Sequence, residues 1–309
     1  MTLLFLAIAC KPPPEAPEGL DASTAFMMRE FYNDDASFQA GVQGFMQWYE
    51  DEGYLLVGEA ATTSNTDSFT VGELGAEDVA HLPLSEEILL EPSTDTWGAR
   101  DLTNSKGVVS LAMMDCTWEE SEQYLLRPDQ DAVFHDDWES YDRTFTTDRG
   151  AYEAASTSGE FEEVTEETDV FAADFDSTLV DSTVLLTTNR VDPTAVLFAD
   201  LGEYELNLDF RHGQYEVGDD TIGLFAIVTY QKDAVWDEAG ENGLVQTYSV
   251  EINAQQGDQT LRMLAVWAEP VGAGLEPDDP LVLNYAVNKS LSSSNRMGAV
   301  CSGEESIDD

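Results

Sequence analysis

The chain of 309 residues carries 62 acidic and 13 basic side chains, for a formal net charge of -49. Its 42% hydrophobic and 10% aromatic residues are ample for a core and exclude a disordered chain. Binding to phosphates needs clustered Lys and Arg, so nucleic acid is excluded as a partner, and an anionic lipid surface repels the acidic body.

Like charges at this density repel one another and suit a salty or cation-rich medium, where screening shortens their reach to about 8–10 Å. At the N-terminus, Thr2 to Ala9 reads T-L-L-F-L-A-I-A, a compact apolar run, and Cys10 follows directly. Lys11-Pro12-Pro13-Pro14-Glu15 comes next. This pattern resembles the lipobox of bacterial lipoproteins. The resemblance implies that residues 1–9 are a signal peptide, that Cys10 becomes the lipidated mature N-terminus, and that residues 10–22 form a Pro-rich tether. It implies a location in the cell envelope, extracytoplasmic and held to the membrane by lipid. Beyond residues 1–9 no apolar run approaches the roughly 20 residues needed to cross a bilayer.

Ser23 to Tyr32 reads as a short helix with Phe26, Met27 and Phe31 inward. Asn33, Asp34 and Asp35 then offer caps for a second helix, whose Phe38, Val42, Phe45, Met46 and Tyr49 share one face and which Gly53 ends. Residues 58–78 are rich in Thr, Ser, Gly and Asp and read as loop, with helical turns near Ala76–Leu82 and Ser85–Leu90. Gly107 to Asp115 reads as a buried strand. Thr117-Trp118-Glu119-Glu120 is a capping box that opens a helix reaching Arg127, before Pro128. From about 130 the period becomes two. Tyr204, Leu206, Leu208 and Phe210 alternate with polar residues, and His212-Gly213 marks a turn. Strands follow at Ile222–Tyr230, at Tyr248–Ile252 and, after the Gln256-Gly257-Asp258 turn, at Leu261–Trp267. Leu281–Val287 is the last predicted strand, and the acidic tail 303–309 frays.

The expected fold is α+β, with an antiparallel meander or curved sheet in the second half and a few short helices in the first. Residues 23–302 form one composite domain with a sub-boundary near 150–168. With Cys10 lipidated, Cys116 and Cys301 remain as a pair, and a bridge between them ties the C-terminus to the middle of the chain; two separate buried thiols are the alternative. The order strand, helix, then several strands, begun by Gly107 to Pro128, resembles helix-grip lipid-binding folds, although the long C-terminal helix of such folds is not visible in the sequence.

Val170-Phe171-Ala172-Ala173-Asp174-Phe175-Asp176-Ser177-Thr178 resembles the first motif of the haloacid dehalogenase superfamily. The resemblance implies Asp174 as nucleophile, Asp176 as general acid/base and a nearby Mg²⁺. The Lys and final acidic motif of that family are missing, and the motif opens a run of alternating strands rather than an α/β fold. A second cluster, Asp129, Asp131, His135, Asp136, Asp137 and Asp142, has the hard oxygen groups that suit Ca²⁺, without the EF-hand spacing. No cofactor is required by any motif.

These features point to an exported, lipid-anchored envelope or surface protein with a binding or structural role rather than catalysis. Its partners would be the membrane through its lipid, and an apolar ligand or a protein. The alternatives are a metal-dependent phosphohydrolase using Asp174 and Asp176, and a salt-adapted structural surface protein without a small ligand.

Overall fold

The computed structural model describes residues 17–29, 35–52, 67–71, 105–135, 137–145, 183–193, 201–217, 222–231, 234–272, 274 and 279–307. Among the described residues, nine strands form one antiparallel sheet: β1 (Asp67–Val71), β2 (Lys106–Met114), β3 (Trp138–Phe145), β4 (Thr183–Pro193), β5 (Tyr204–Val217), β6 (Ile222–Gln231), β7 (Val235–Trp236), β8 (Gly243–Gln256) and β9 (Gln259–Val271). Their spatial order is β1-β2-β9-β8-β6-β5-β4-β3, with β7 paired to β8. The α+β expectation therefore holds, with a sheet-rich second half.

Helices cover both faces. On one face lie α1 (Leu20–Arg29) and α2 (Asp35–Asp51). The even residues Leu224, Ala226 and Val228 of β6 and Tyr248, Val250 and Ile252 of β8 point to this side. Met263, Ala265 and Trp267 of β9 join them, and Phe38, Val42, Phe45 and Tyr49 of α2 close over the top. The α2 stripe expected from sequence is thus core packing. Arg211 is buried in this layer with its guanidinium 4.0 Å from the Phe38 ring centre, a cation–π contact in a desolvated setting.

The opposite face carries α3 (Trp118–Leu125), α4 (Gln130–Val133) and α5 (Pro280–Cys301). The Thr117 capping box forms as expected: Glu120 N–H donates to the Thr117 hydroxyl, and Thr117 N–H donates to the Glu120 carboxylate. The β8–β9 hairpin turns at Gly257-Asp258, where Gly257 takes φ 64°, a left-handed conformation that glycine adopts without a Cβ penalty.

Five expectations need correction. The 58–78 loop contains β1, because Phe69 and Val71 extend the sheet beside Val109 and Gly107. The tether cannot run to residue 22, since α1 begins at Leu20. His212-Gly213 is no turn; both lie in mid-strand, paired with Ile227 and Ala226. Leu281–Val287 is helix rather than strand. Asp279 caps the Leu281 N–H and Pro280 occupies the first turn, where its missing N–H costs nothing. This α5 makes a long C-terminal helix that the sequence reading did not see. The tail does not fray as far as Ser306: Glu305 N–H donates to the Ala299 carbonyl, and Arg296 holds both the Glu305 carboxylate and the Ser306 carbonyl.

Candidate functional site

The face under α3 and α5 differs chemically from the other. Strand register sets its rows: His212, Ile227, Glu251, Leu264 and Ser110 lie in one, and Gln214, Phe225, Asn253, Arg262 and Ala112 in the next. Much of this surface is polar and buried, which is stable only when the groups pair.

Two clusters do the pairing. In the first, Glu122 of α3 descends onto β5. Its carboxylate lies 2.6 Å from His212 Nε2 through one oxygen and accepts from Gln214 Nε2 at 2.8 Å through the other. Both His212 and Glu122 are buried, beside the Phe225 ring. In the second, Arg262 Nε donates to Glu251 Oε1 at 2.7 Å, and Asn253 Nδ2 donates to the same oxygen at 3.1 Å. Arg262 Nη1 also donates to the hydroxyls of Ser293 and Ser294 on α5, each at 2.9 Å. One turn earlier the Ser290 and Ser110 hydroxyls bond each other. The serines of α5 sit at helical spacing, so a single stripe meets the sheet's polar row.

α5 is fixed at both ends of this lane. Cys301 is bonded to Cys116, as one of the two sequence readings required, with the Cα atoms 5.2 Å apart. Around the bridge Met114, Phe134 and Met297 pack as a second apolar cluster. Lys289 pairs with Asp137 at 2.7 Å. The same inner stripe of α5 continues toward its N-terminus through Ala286, Val287 and Leu283, which are only half-buried, and the sheet residues Leu264 and Val266 are half-buried likewise.

The acidic residues singled out from sequence do not converge. Asp129 precedes α4 and pairs with Arg127 at 2.6 Å; Asp131 is in the first turn of α4; Asp137 goes to Lys289. His135 and Asp142 are exposed. Asp136 lies outside the described residues, as do Asp174, Asp176 and Cys10. Among the described residues no group of three His, Cys, Asp or Glu could hold a metal ion, and no helix is long and apolar enough to cross a membrane.

Sequence reasoning missed Glu122, His212, Arg262, Glu251 and the α5 serines. One signal was present: Phe210, His212 and Gln214 continue the period-two alternation of β5, so His212 belongs on a covered face rather than at a turn.

No match was found. No family model, curated protein or solved structure matches this chain.

Proposed function

We propose that this is an exported protein, anchored to a membrane of the bacterial cell envelope through a lipid on Cys10, with a binding rather than a catalytic role. The observation that carries the reading is the Cys116–Cys301 bridge. Disulfides persist in extracytoplasmic compartments and are reduced in the cytosol. The bridge uses two of the three cysteines and leaves Cys10, in its lipobox-like setting, for the lipid.

The binding role is supported by α5 and the sheet beneath it. Half-buried Leu283, Ala286 and Val287 share a helix face, over a sheet surface that includes half-buried Leu264 and Val266. An apolar ligand would lie along these groups, with the Arg262–Glu251 cluster as the polar end of the lane. A protein partner is the other occupant compatible with this role.

Intact-mass analysis of the full chain made in a bacterial host, without reductant, tests the reading. The expected species has lost residues 1–9, gained a lipid and lacks the two hydrogens of a formed bridge. A full-length, unmodified, reduced chain overturns it. Saturable uptake of a fluorescent fatty acid would favour the apolar ligand over a protein partner.

A further inference from the structure

We infer that the α1–α2 layer is the membrane-proximal side of this protein, resting against the phospholipid headgroups, and that the face carrying α3 and α5 points away from the bilayer. The inference rests on the lipid-anchor reading and adds the orientation that the anchor imposes.

The first support is the length of chain between the lipid and the folded body. Pro17 is the first described residue, and it is already seated on α2: its carbonyl oxygen and ring stand 2.6 and 3.2 Å from where a Cβ on Gly44 would be. Any larger residue at 44 would push this contact apart, so the close approach of tether to helix depends on that glycine. Ser23 of α1 reaches the same spot, at 2.6 Å. Only seven residue steps separate Pro17 from Cys10. Fully extended they span at most about 25 Å, and as a polyproline stretch about 22 Å. Eight strands side by side at about 4.8 Å make the sheet itself about 34 Å wide, and the path from one helical layer to the other runs around its edge. The tether is therefore too short to carry the lipid from α2 around the edge of the sheet to α5.

The second support is charge. A body with a net charge of -49 is repelled by anionic lipid, so the side that faces the bilayer does so through its least charged stretch and under the pull of the anchor. The outward stripe of α2 is half-buried Gln39 and exposed Gln43 and Gln47, with no charged residue from Ala36 to Tyr49; exposed Glu18, Glu50, Asp51 and Glu52 border this uncharged stretch, and Gln47 Nε2 donates to Asp51 at 3.1 Å. The outward side of the much shorter α3 carries exposed Glu119 and Glu120 in its first turn and offers no uncharged stretch of that length. α5 also lacks acidic residues, but it lies across the sheet from Pro17, beyond the tether's reach. In this orientation its outer stripe, exposed Leu281, Asn284, Asn288 and Asn295, faces the aqueous phase.

The test uses the full, lipidated protein in vesicles of phosphatidylcholine and phosphatidylglycerol containing a headgroup-linked quencher. Gln47→Cys on α2 and Gln123→Cys on α3, both exposed positions on opposite sides of the sheet, are each labelled with a small fluorophore under non-reducing conditions. Quenching severalfold stronger at position 47 than at position 123 is the expected result. Equal quenching, or stronger quenching at 123, on protein whose mass confirms the lipid overturns the orientation and leaves the anchor standing. Absence of lipid on Cys10 overturns the anchor itself, and the orientation with it.

Discussion

Removing the Cys116–Cys301 bridge is the sharpest perturbation of this fold. The bridge spans a sequence separation of 185 residues, which makes its cross-link among the more constraining for an unfolded chain. Loop-closure entropy for a loop of that size amounts to about 5 kcal/mol at 25 °C. The native state also bears on the effect: Cys301 is the last residue of α5, and the helix otherwise rests on the body through hydroxyl contacts at Ser290, Ser293 and Ser294, the Lys289–Asp137 pair and the apolar packing of Met297. Hydrogen bonds of that kind contribute only about 1 kcal/mol each. Urea denaturation of the oxidised protein, the reduced protein and Cys116→Ala/Cys301→Ala measures the term. The reduced form retains both thiols and so separates the cross-link from the packing lost in the alanine variant. A destabilisation of several kcal/mol in both, with a fall in Tm of about 10 °C, is expected. If both stay within about 1 kcal/mol of the oxidised protein, the bridge is not what holds α5 down.

Further predictions concern the buried polar face and the surface. Arg262→Met leaves Glu251 buried with only Asn253 as a partner and should cost about 3–5 kcal/mol; adding Glu251→Leu should recover most of it, and a double variant no better than the single would contradict the pairing. Glu122→Gln sets an amide N–H₂ against Gln214 or His212, for a loss of about 1–3 kcal/mol in urea midpoint; an unchanged midpoint would mean the cluster is not closed. Burial, with Tyr141 adding to it, pushes the Tyr204 phenol up to about 12. A folded pKa above the ordinary value of 10 stabilises the fold fully below pH 10, and that contribution is lost as pH rises toward 12. Titration at 295 nm should show a late phenol that disappears in Tyr204→Phe; ionisation near pH 10 at that site would refute it. Screening of the -49 charge should raise Tm between low salt and molar NaCl, and a flat profile would count against a self-repelling acidic coat.

The same buried polar face marks the boundary of what could be read in advance. The α3 capping box was legible because Thr117 and Glu120 satisfy each other within one turn. The β8–β9 hairpin was legible because Gly257 and Asp258 interrupt two alternating runs. Leu281–Val287 was misassigned because a short apolar run fits either period; the Asp279-Pro280 start was the deciding local feature, and its weight came from capping a helix whose extent the run did not reveal. The candidate site was less legible still. Glu122 and His212 are 90 residues apart, and Ser110 and Ser290 are 180 apart.

The sequence by itself determined the acidic character, the antiparallel second half and the helix under the capping box, because each depends on composition or on hydrogen bonds within a few residues; it left open whether Cys116 and Cys301 are bonded, which the structure decided. Only the tertiary structure decided which face of the sheet is apolar and which is polar, that α5 closes the polar one, and that Pro17 is seated against Gly44. Those choices depend on strand register and on partners far apart in the chain. A polar residue becomes interpretable as buried only once the group that satisfies it has been brought alongside.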